Sequence, residues 1–321
     1  MNDDPEHALN RLWTLLADER RRASYTHVVA FGGLLPMLAG PVYAAWLGRP
    51  LITLIRGNDF DAGILSLRRG DVLRTALAAS ACIGAVSRDK VEKISALFPR
   101  AAVEWTPNGI DLADWQLHPH DRAQAQAWRQ ARVSPGRQVI GVFGQLKRKK
   151  GGVFFLEALR ASGCAAGLHV LWVGDAEPEL VAALEEQRGE VEFTMLPFMD
   201  RYELLPYYAA CDWLAIPSFY DGMPNVLLEA AGLGIPILAA RTGGMRDVLR
   251  EGANTVLFEP DDTVDCARAI ACAAGLEAAE RRRLGETART LVTDKFNHLR
   301  EAGCYAAILS RTDRRPTSLS P

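Results

Sequence analysis

Short apolar runs that alternate with helix-like stretches constrain the fold of this chain more than any other feature. Four such runs lie in the first third of the sequence: Thr26–Phe31, Leu51–Ile55, Ala81–Val86 and Ala102–Trp105. Parallel strands need a crossover between them, and that crossover is usually a helix. The alternation therefore predicts βαβ units and a parallel sheet.

A second series of apolar runs follows a polar stretch, Leu112–Gly136, which we interpret as an interdomain boundary. Six strands are predicted here: Gln138–Phe143, His169–Val173, Val191–Leu196, Trp213–Pro217, Ile235–Ala239 and Thr255–Phe258. The sequence thus predicts an α/β protein with two doubly wound, Rossmann-like domains. We expect the first domain and its linker to cover residues 1–133 and the second domain residues 134–311, before a flexible polar tail at 312–321.

Length and composition limit the function. The 321 residues are enough for two separate cores, and the formal net charge of −2 gives no overall attraction to nucleic acid. We expect no nucleic-acid partner, and any anion site must be local. Six scattered cysteines without a C-x-x-C pair are typical of buried thiols in a reducing compartment. The charged N-terminus lacks the apolar region of a secretory signal, which favours a cytoplasmic protein.

One uncharged stretch, Val28–Gly48, is long enough to span a bilayer. Glycines and prolines interrupt it at Gly32, Gly33, Pro36, Gly40 and Pro41. A strand, a turn and a short buried helix explain it better, and a membrane span is the minor alternative.

The loop after Gln138–Phe143 carries four cations and then two glycines before a predicted helix: Gly144-Gln145-Leu146-Lys147-Arg148-Lys149-Lys150-Gly151-Gly152. Helix N–H groups and ammonium groups together form a site for an anion such as a diphosphate. A solvated basic loop is the alternative. The loop matches neither a Walker A nor a dinucleotide-binding pattern.

Two further loops follow predicted strands. In Pro217–Ala230 a strand ends, Asp221 and Gly222 turn the chain, and a helix begins near Pro224. Glu229 lies about one turn into that helix among apolar neighbours, where a carboxylate needs partners. Sugar or ribose hydroxyls suit it, and a core-edge pair with Arg or Lys is the alternative. Gly243 and Gly244 allow a ligand to approach the backbone, although two glycines also simply make turns.

In their order along the chain, these motifs resemble the retaining nucleotide-sugar glycosyltransferases of family 4, the glycosyl transferases of group 1. Asp221 and Glu229 keep the spacing of the family's acidic pair, with Asp in place of the usual Glu. Three other segments match in order: Pro107–Asp111, Leu171–Asp175 and Tyr208–Asp212. The resemblance covers residues 26–310 and implies a GT-B fold, in which two Rossmann-like domains face a cleft.

The resemblance also implies an activity and its residues. The enzyme would belong to the hexosyl-transferring type of EC class 2.4 and move a sugar from a nucleotide-diphosphate sugar to a hydroxyl acceptor with retention. Lys150 matches the lysine that binds the donor diphosphate, Asp221 the acid that touches the sugar, and Glu229 the glutamate that holds the ribose hydroxyls. No metal and no cofactor is expected beside the donor substrate, and we interpret His118-Pro119-His120 as linker rather than as a metal site.

Further residues are implied on the two sides of the reaction. The donor-binding set is Gly144, Gln145, Arg148, Gly151, Gly222, Met223, Asn225, Val226, Gly243 and Gly244. Within it, Gln145 stands where the family has an arginine, and Arg148 or Lys147 is the candidate replacement. The acceptor-side set is Arg56, Asn58, Asp59 and Asn108, and here Arg56 replaces the usual histidine.

Nothing before Thr26 resembles the family, so we expect an N-terminal domain that lacks the usual first strands and receives the last helix. The implied setting is polysaccharide, lipopolysaccharide or glycolipid assembly in the cell envelope, with a glycan, lipid-linked or small-molecule acceptor. Three explanations of the missing elements stay open: a misplaced start, a missing piece on another chain, or a shortened form with reduced or no transfer activity. The further partners to consider are therefore a complementing chain and the inner face of the membrane, contacted peripherally. The alternative function is a noncatalytic nucleotide-sugar-binding or assembly partner.

Overall fold

The computed structural model describes residues 5–18, 24–57, 59–187 and 189–313, which group into two compact units. One unit comprises the residues up to Pro107 and those from Glu301, and the other spans Asn108–Arg300. The division after Pro107 lies earlier than the boundary expected from the polar stretch. A helix within that stretch belongs to the second unit, because Arg129 on it donates to the carbonyl of Ala210 and the carboxylate of Asp212.

The first unit is built on a parallel sheet whose strands lie in chain order, β1-β2-β3-β4. The strands are β1 (Val28–Phe31), β2 (Leu51–Ile55), β3 (Cys82–Ala85) and β4 (Val103–Trp105). The helices are α1 (Pro5–Leu16), α2 (Leu34–Leu47), α3 (Asp59–Ile64), α4 (Gly70–Ala79) and α5 (Arg88–Leu97). All four strands expected in this part of the sequence are present. The uncharged stretch forms β1 and α2, and among the described residues no helix has the length and apolar character needed to cross a membrane.

Helices cover both faces of the central strands, which explains why β2 and β3 are wholly buried. On one face Ile55 and Ile83 pack in a core with Leu77 of α4. On the other face Ile308 packs against Ile52 and Leu54. The helix that carries Ile308, His298–Thr312, therefore supplies the end of the chain to the first unit's core. Of the tail expected at 312–321, Thr312 ends this helix, and residues 314–321 lie outside the described residues.

The second unit contains a parallel sheet of six strands in the order β10-β9-β8-β5-β6-β7. The strands are β5 (Gln138–Phe143), β6 (Leu168–Val173), β7 (Glu192–Leu196), β8 (Trp213–Ile216), β9 (Ile237–Ala240) and β10 (Thr255–Phe258). The helices are α6 (Pro119–Arg132), α7 (Gly152–Ala161), α8 (Pro178–Glu186), α9 (Arg201–Ala210), α10 (Asn225–Leu233), α11 (Met245–Val248), α12 (Thr263–Gly275) and α13 (Ala278–Lys295); His298–Thr312 is α14. Each of the six predicted strands is present.

The strand order of this sheet reverses beside β5. The chain runs from β5 outward through β6 to β7, then returns to place β8 on the other side of β5. At such a switch point the two following connections go to opposite faces of the sheet and leave a crevice at the carboxyl ends of the strands. The fold therefore puts the loops after β5 and β8 at the place where doubly wound proteins bind ligands.

Close packing of α13 against the C-terminal end of α10 gives a test of this fold. A Cβ atom at Gly285 would lie 2.0 Å from the carbonyl oxygen of Gly234, whereas one at Gly275, on α12, would meet nothing within 4 Å. Gly285→Ala should lower the free energy of unfolding of the second unit by roughly 1–3 kcal/mol, because overpacking forces the backbone to shift. Gly275→Ala should change it by less than about 1 kcal/mol. Urea unfolding measures both, and equal effects would contradict the packing described.

Candidate functional site

Two loops meet at the switch point of the six-stranded sheet. The β5 loop (Gly144–Gly151) leads into α7, and the β8 loop (Pro217–Pro224) leads into α10. Their strands are neighbours, with Ile140 aligned to Trp213. The loops are also joined directly, since the Phe219 N–H donates to the Lys149 carbonyl at 3.1 Å. The structure thus brings the two sequence-predicted loops into one assembly.

Two glycines permit this close approach. Gly151 has φ +70°, and a Cβ atom there would lie 2.1 Å from the carbonyl oxygen of Pro217. Gly243, in the loop after β9, has φ +50°, and its Cβ atom would lie 1.7 Å from the carbonyl oxygen of Asp221. The next residue, Gly244, donates its N–H to the carbonyl of Gly222. A side chain at Gly151 would separate the β5 loop from the β8 loop, and one at Gly243 would separate the loop after β9 from the β8 loop. The predicted Gly243-Gly244 loop is therefore packed against the β8 loop.

Lys150 and Asp221 form an ion pair across the two loops. The Lys150 ammonium donates to Oδ2 of Asp221, and Oδ1 accepts from the Gly222 N–H at 3.0 Å. The two side chains are 28% and 17% exposed, so the pair is partly shielded from water and open to a ligand. The β5 loop therefore directs one of its cations at the β8 loop.

The other polar side chains of the β5 loop lie outward. Four of them are exposed: Gln145, Lys147, Arg148 and Lys149. The backbone N–H of Arg148 donates to the carboxylate of Glu177, which precedes α8. Among the described residues, no ion pair joins Arg148 to the β8 loop. Replacement of the missing arginine by Arg148 or Lys147 stays a prediction.

Glu229 is held in a different way. Its Oε2 accepts a hydrogen bond of 2.6 Å from the hydroxyl of Tyr208, a fully buried residue of α9. The described residues provide no cation within ion-pair distance of Glu229 and no hydrogen-bond partner for Oε1. Burial raises the pKa of Glu229, and the Tyr208 hydrogen bond opposes that rise. The core-edge pair with Arg or Lys, considered from the sequence, is not formed within the described part of the chain.

Packing connects Glu229 to the β5 loop. The Tyr208 ring packs edge to face on the ring of Phe143, the last residue of β5, with 4.6 Å between the ring centroids. Val226, one turn before Glu229 on α10, is the side chain nearest to Gly144, at 4.0 Å from a Cβ atom built there. Lys150 and Glu229 therefore lie at two ends of the same loop. Tyr208 is a site residue that the motifs did not single out, although it begins one of the matched segments.

Asn108 contacts two of the predicted donor-binding residues. Its Nδ2 donates to the Met223 carbonyl at 2.8 Å and to Oδ1 of Asn225 at 3.2 Å. Because Pro224 between them has no N–H, a side chain from outside the loop holds this turn. The family resemblance implies an acceptor-side role for Asn108, which stays a prediction, and these contacts link it to the β8 loop.

The remaining acceptor-side predictions lie in the first unit. Arg56 forms an ion pair of 2.8 Å with Glu301 and donates to the Thr106 carbonyl and the Tyr305 hydroxyl. These contacts tie the end of β2 to α14 and show a structural role for Arg56. Asn58 and the side chain of Asp59 lie outside the described residues.

The site is suited to a phosphorylated ligand that also carries hydroxyl groups. An ammonium and the first N–H groups of α7 and α10 attract an anion, and a carboxylate oxygen without a partner accepts from a hydroxyl. Across the described ranges no cluster of His, Cys, Asp and Glu side chains could hold a metal ion.

The raised pKa of Glu229 leads to a prediction about stability. Where the folded-state pKa exceeds that of the unfolded chain, the free energy of unfolding falls as pH rises between the two values. Glu229→Gln removes this loss, so the variant should gain stability relative to the wild type as pH rises from about 4 to about 8. Urea unfolding across this range measures the difference, with Glu186→Gln, at an exposed position of α8, as control. A difference that does not change with pH would contradict the burial of an unpaired carboxylate.

A protein family model matches the central part of the second unit. Residues 137–274 match the model of the family described as Glycosyl transferases group 1. This segment contains all six strands of the larger sheet, together with Lys150, Asp221 and Glu229.

Curated proteins are similar over longer stretches. The D-inositol 3-phosphate glycosyltransferase of Nocardia farcinica is 30% identical over 196 residues, which are 58% of this chain and 42% of that protein. The 2-deoxystreptamine N-acetyl-D-glucosaminyltransferase of Streptomyces fradiae is 27% identical over 299 residues, 86% of this chain and 69% of that protein. The chain spans less than half the length of the D-inositol 3-phosphate glycosyltransferases that it matches.

Solved structures extend the similarity to both units. Anabaena Alr3699/HepE in complex with UDP has a TM-score of 0.77 and 22% identity, over 95% of this chain and 84% of that one. Sucrose-phosphate synthase from Thermosynechococcus elongatus has a TM-score of 0.79 and 19% identity, over 94% and 76%. These neighbours show that the chain has the GT-B fold, as predicted. The similarity to group 1 glycosyl transferases thus lies over residues 137–274, and the solved structures show the fold of both units.

Proposed function

We propose that this chain is a group 1 glycosyltransferase that moves a hexosyl-type sugar from a nucleotide-diphosphate sugar to a hydroxyl acceptor with retention of configuration. The observation that carries the proposal is the ion pair of Lys150 and Asp221 across the switch point of the larger sheet. It unites the predicted phosphate-binding cation and the predicted sugar-binding acid in the segment that matches the family model.

Lys150 acts on the leaving group. Breaking the bond from sugar C1 to the diphosphate builds negative charge on a phosphate oxygen. A cation and helix N–H groups that are already in position stabilise this charge without reorganisation. In the ligand-free chain Asp221 holds the ammonium in place, and in the complex its carboxylate accepts from a sugar hydroxyl. As the family resemblance implies, the proposed reaction uses these groups in place of a metal ion.

Glu229 binds the ribose. A partly buried carboxylate without a cation is costly, and hydroxyl donors of a ligand reduce that cost. Oε2 is occupied by Tyr208, so Oε1 accepts from the ribose. The incomplete pairing of Glu229 costs free energy in the free protein, and a ligand hydroxyl that donates to Oε1 would reduce this cost.

The acceptor hydroxyl oxygen bonds to sugar C1 from the face that the diphosphate leaves, the bond from C1 to the diphosphate oxygen breaks, and the hydroxyl proton passes to the departing phosphate oxygen. Attack from that face retains configuration. The setting we propose is cytoplasmic assembly of an envelope polysaccharide, lipopolysaccharide or glycolipid, with peripheral contact to the inner face of the membrane. The acceptor is a glycan, a lipid-linked sugar or a small polyol.

A donor screen tests this function directly. Uridine, guanosine and adenosine diphosphate sugars should be compared by thermal unfolding. The correct donor at a hundred times its dissociation constant should stabilise the protein by about 2.7 kcal/mol. Nucleotide release should then appear when acceptors are added, beginning with D-inositol 3-phosphate and 2-deoxystreptamine, which the names of two relatives suggest. Saturable binding without release for any acceptor would favour the noncatalytic partner, and no stabilisation by any donor would overturn both functions.

Lys150→Ala should lower the rate of nucleotide release about a hundredfold, equivalent to roughly 3 kcal/mol of transition-state stabilisation. Lys149→Ala is the matched control, because Lys149 is exposed in the same loop and should leave the rate within about threefold. A native unfolding profile for both variants excludes misfolding. Unchanged turnover in Lys150→Ala, or equal losses in both variants, would contradict the assigned role.

A further inference from the structure

The hydroxyl of Tyr208 is a buried polar group to which the proposed reaction assigns no part. Tyr208 lies on α9 and is fully buried, whereas Glu229, its hydrogen-bond partner, lies 21 residues further along the chain on α10. In the described chain the carboxylate of Glu229 is the one hydrogen-bond partner of this hydroxyl. The contact therefore joins two helices through a residue predicted to bind the donor.

The Tyr208 ring is held firmly enough to orient its partner. The centroids of the Phe143 and Trp115 rings lie 4.6 Å and 5.7 Å from that of the Tyr208 ring, both in edge-to-face packing. A tyrosine has only two side-chain torsions, and these neighbours restrict both. The hydroxyl thus has a fixed position, and its hydrogen bond fixes which oxygen of Glu229 is left for a ligand.

The same contact affects the charge of Glu229. Burial and the nearby carboxylate raise the pKa of Tyr208 well above its ordinary value, so the hydroxyl keeps its proton and can donate. A hydrogen bond to an ionised acceptor is stronger than one between neutral groups. Tyr208 therefore favours the ionised form of Glu229 against the effect of burial.

We propose that Tyr208 is a positioning residue that keeps Glu229 ionised, with Oε1 directed at the ribose hydroxyls, and so gives the site its preference for ribonucleotides. This inference rests on the proposed function. It extends that function, because it assigns the recognition of ribose to a pair of residues on two helices rather than to Glu229 alone.

The test compares binding of a nucleoside diphosphate with that of its 2′,3′-dideoxy counterpart by titration calorimetry. UDP, GDP and ADP are tried first on the wild type, and the tightest is used. The wild type should prefer the ribose form about tenfold or more. The titrations are made at about pH 6 and about pH 8.5. In Tyr208→Phe the preference should fall about tenfold at the lower pH and by less at the higher pH, because higher pH favours the ionised carboxylate of Glu229.

Two further variants separate positioning from packing. Tyr207→Phe, on the same helix beside Trp128, should leave the ribose preference and its pH profile unchanged. In the Glu229→Gln background, Tyr208→Phe should have no added effect on the ribose preference at either pH. A loss in Tyr208→Phe that is equal at both pH values, or that persists in the Glu229→Gln background, would overturn the positioning role.

The outcome for the wild type distinguishes the two levels of inference. If none of UDP, GDP and ADP binds the wild type, the proposed function fails, and the role of Tyr208 fails with it. If the wild type prefers ribose and Tyr208→Phe retains that preference at both pH values, the function stands and the inference about Tyr208 is wrong.

Discussion

The adjacency of β5 and β8 is the constraint on which the site depends. Because the chain returns to the far side of β5 after β7, two loops that lie far apart in sequence follow neighbouring strands. Gly151 removes the side chain that would separate them, and Lys150 then reaches Asp221. A different strand order would place the same residues at separate positions along the sheet edge, and they would then form no common site.

The two acidic residues of the site are stabilised in opposite ways, and each way suits its proposed ligand group. Asp221 has a cation and a backbone N–H, so it is satisfied before any ligand binds. Within the described part of the chain Glu229 has a single hydrogen-bond partner, the Tyr208 hydroxyl, and its pKa is raised, so its carboxylate is incompletely paired there. Buried carboxylates of the second kind reduce stability, and proteins tend to retain such costs at functional positions.

Much of the fold could be predicted from the sequence because the spacing of apolar residues and the glycines and prolines at turns are local properties. All ten predicted strands are present, and the uncharged stretch forms a strand and a helix that are separated at Gly32 and Gly33. Pro36, Gly40 and Pro41, which were expected to interrupt the stretch, lie within the helix. The domain boundary was less visible, since the polar surface of α6 resembles a linker until Arg129 is seen to contact Asp212. The contacts of Asn108 with Met223 and Asn225, which connect it to the β8 loop, could not be predicted from the sequence because they join residues more than a hundred positions apart.

By itself the sequence determined the strands, the loops that carry Lys150, Asp221 and Glu229, and the resemblance that the family comparison supports. These follow from residue type and spacing, which act within a few turns of chain. Tertiary structure decided which loops meet, which of the four cations in the β5 loop pairs with Asp221, and that Tyr208 holds Glu229. Such contacts join residues on different strands and helices, and they form only when a parallel sheet aligns the carboxyl ends of its strands.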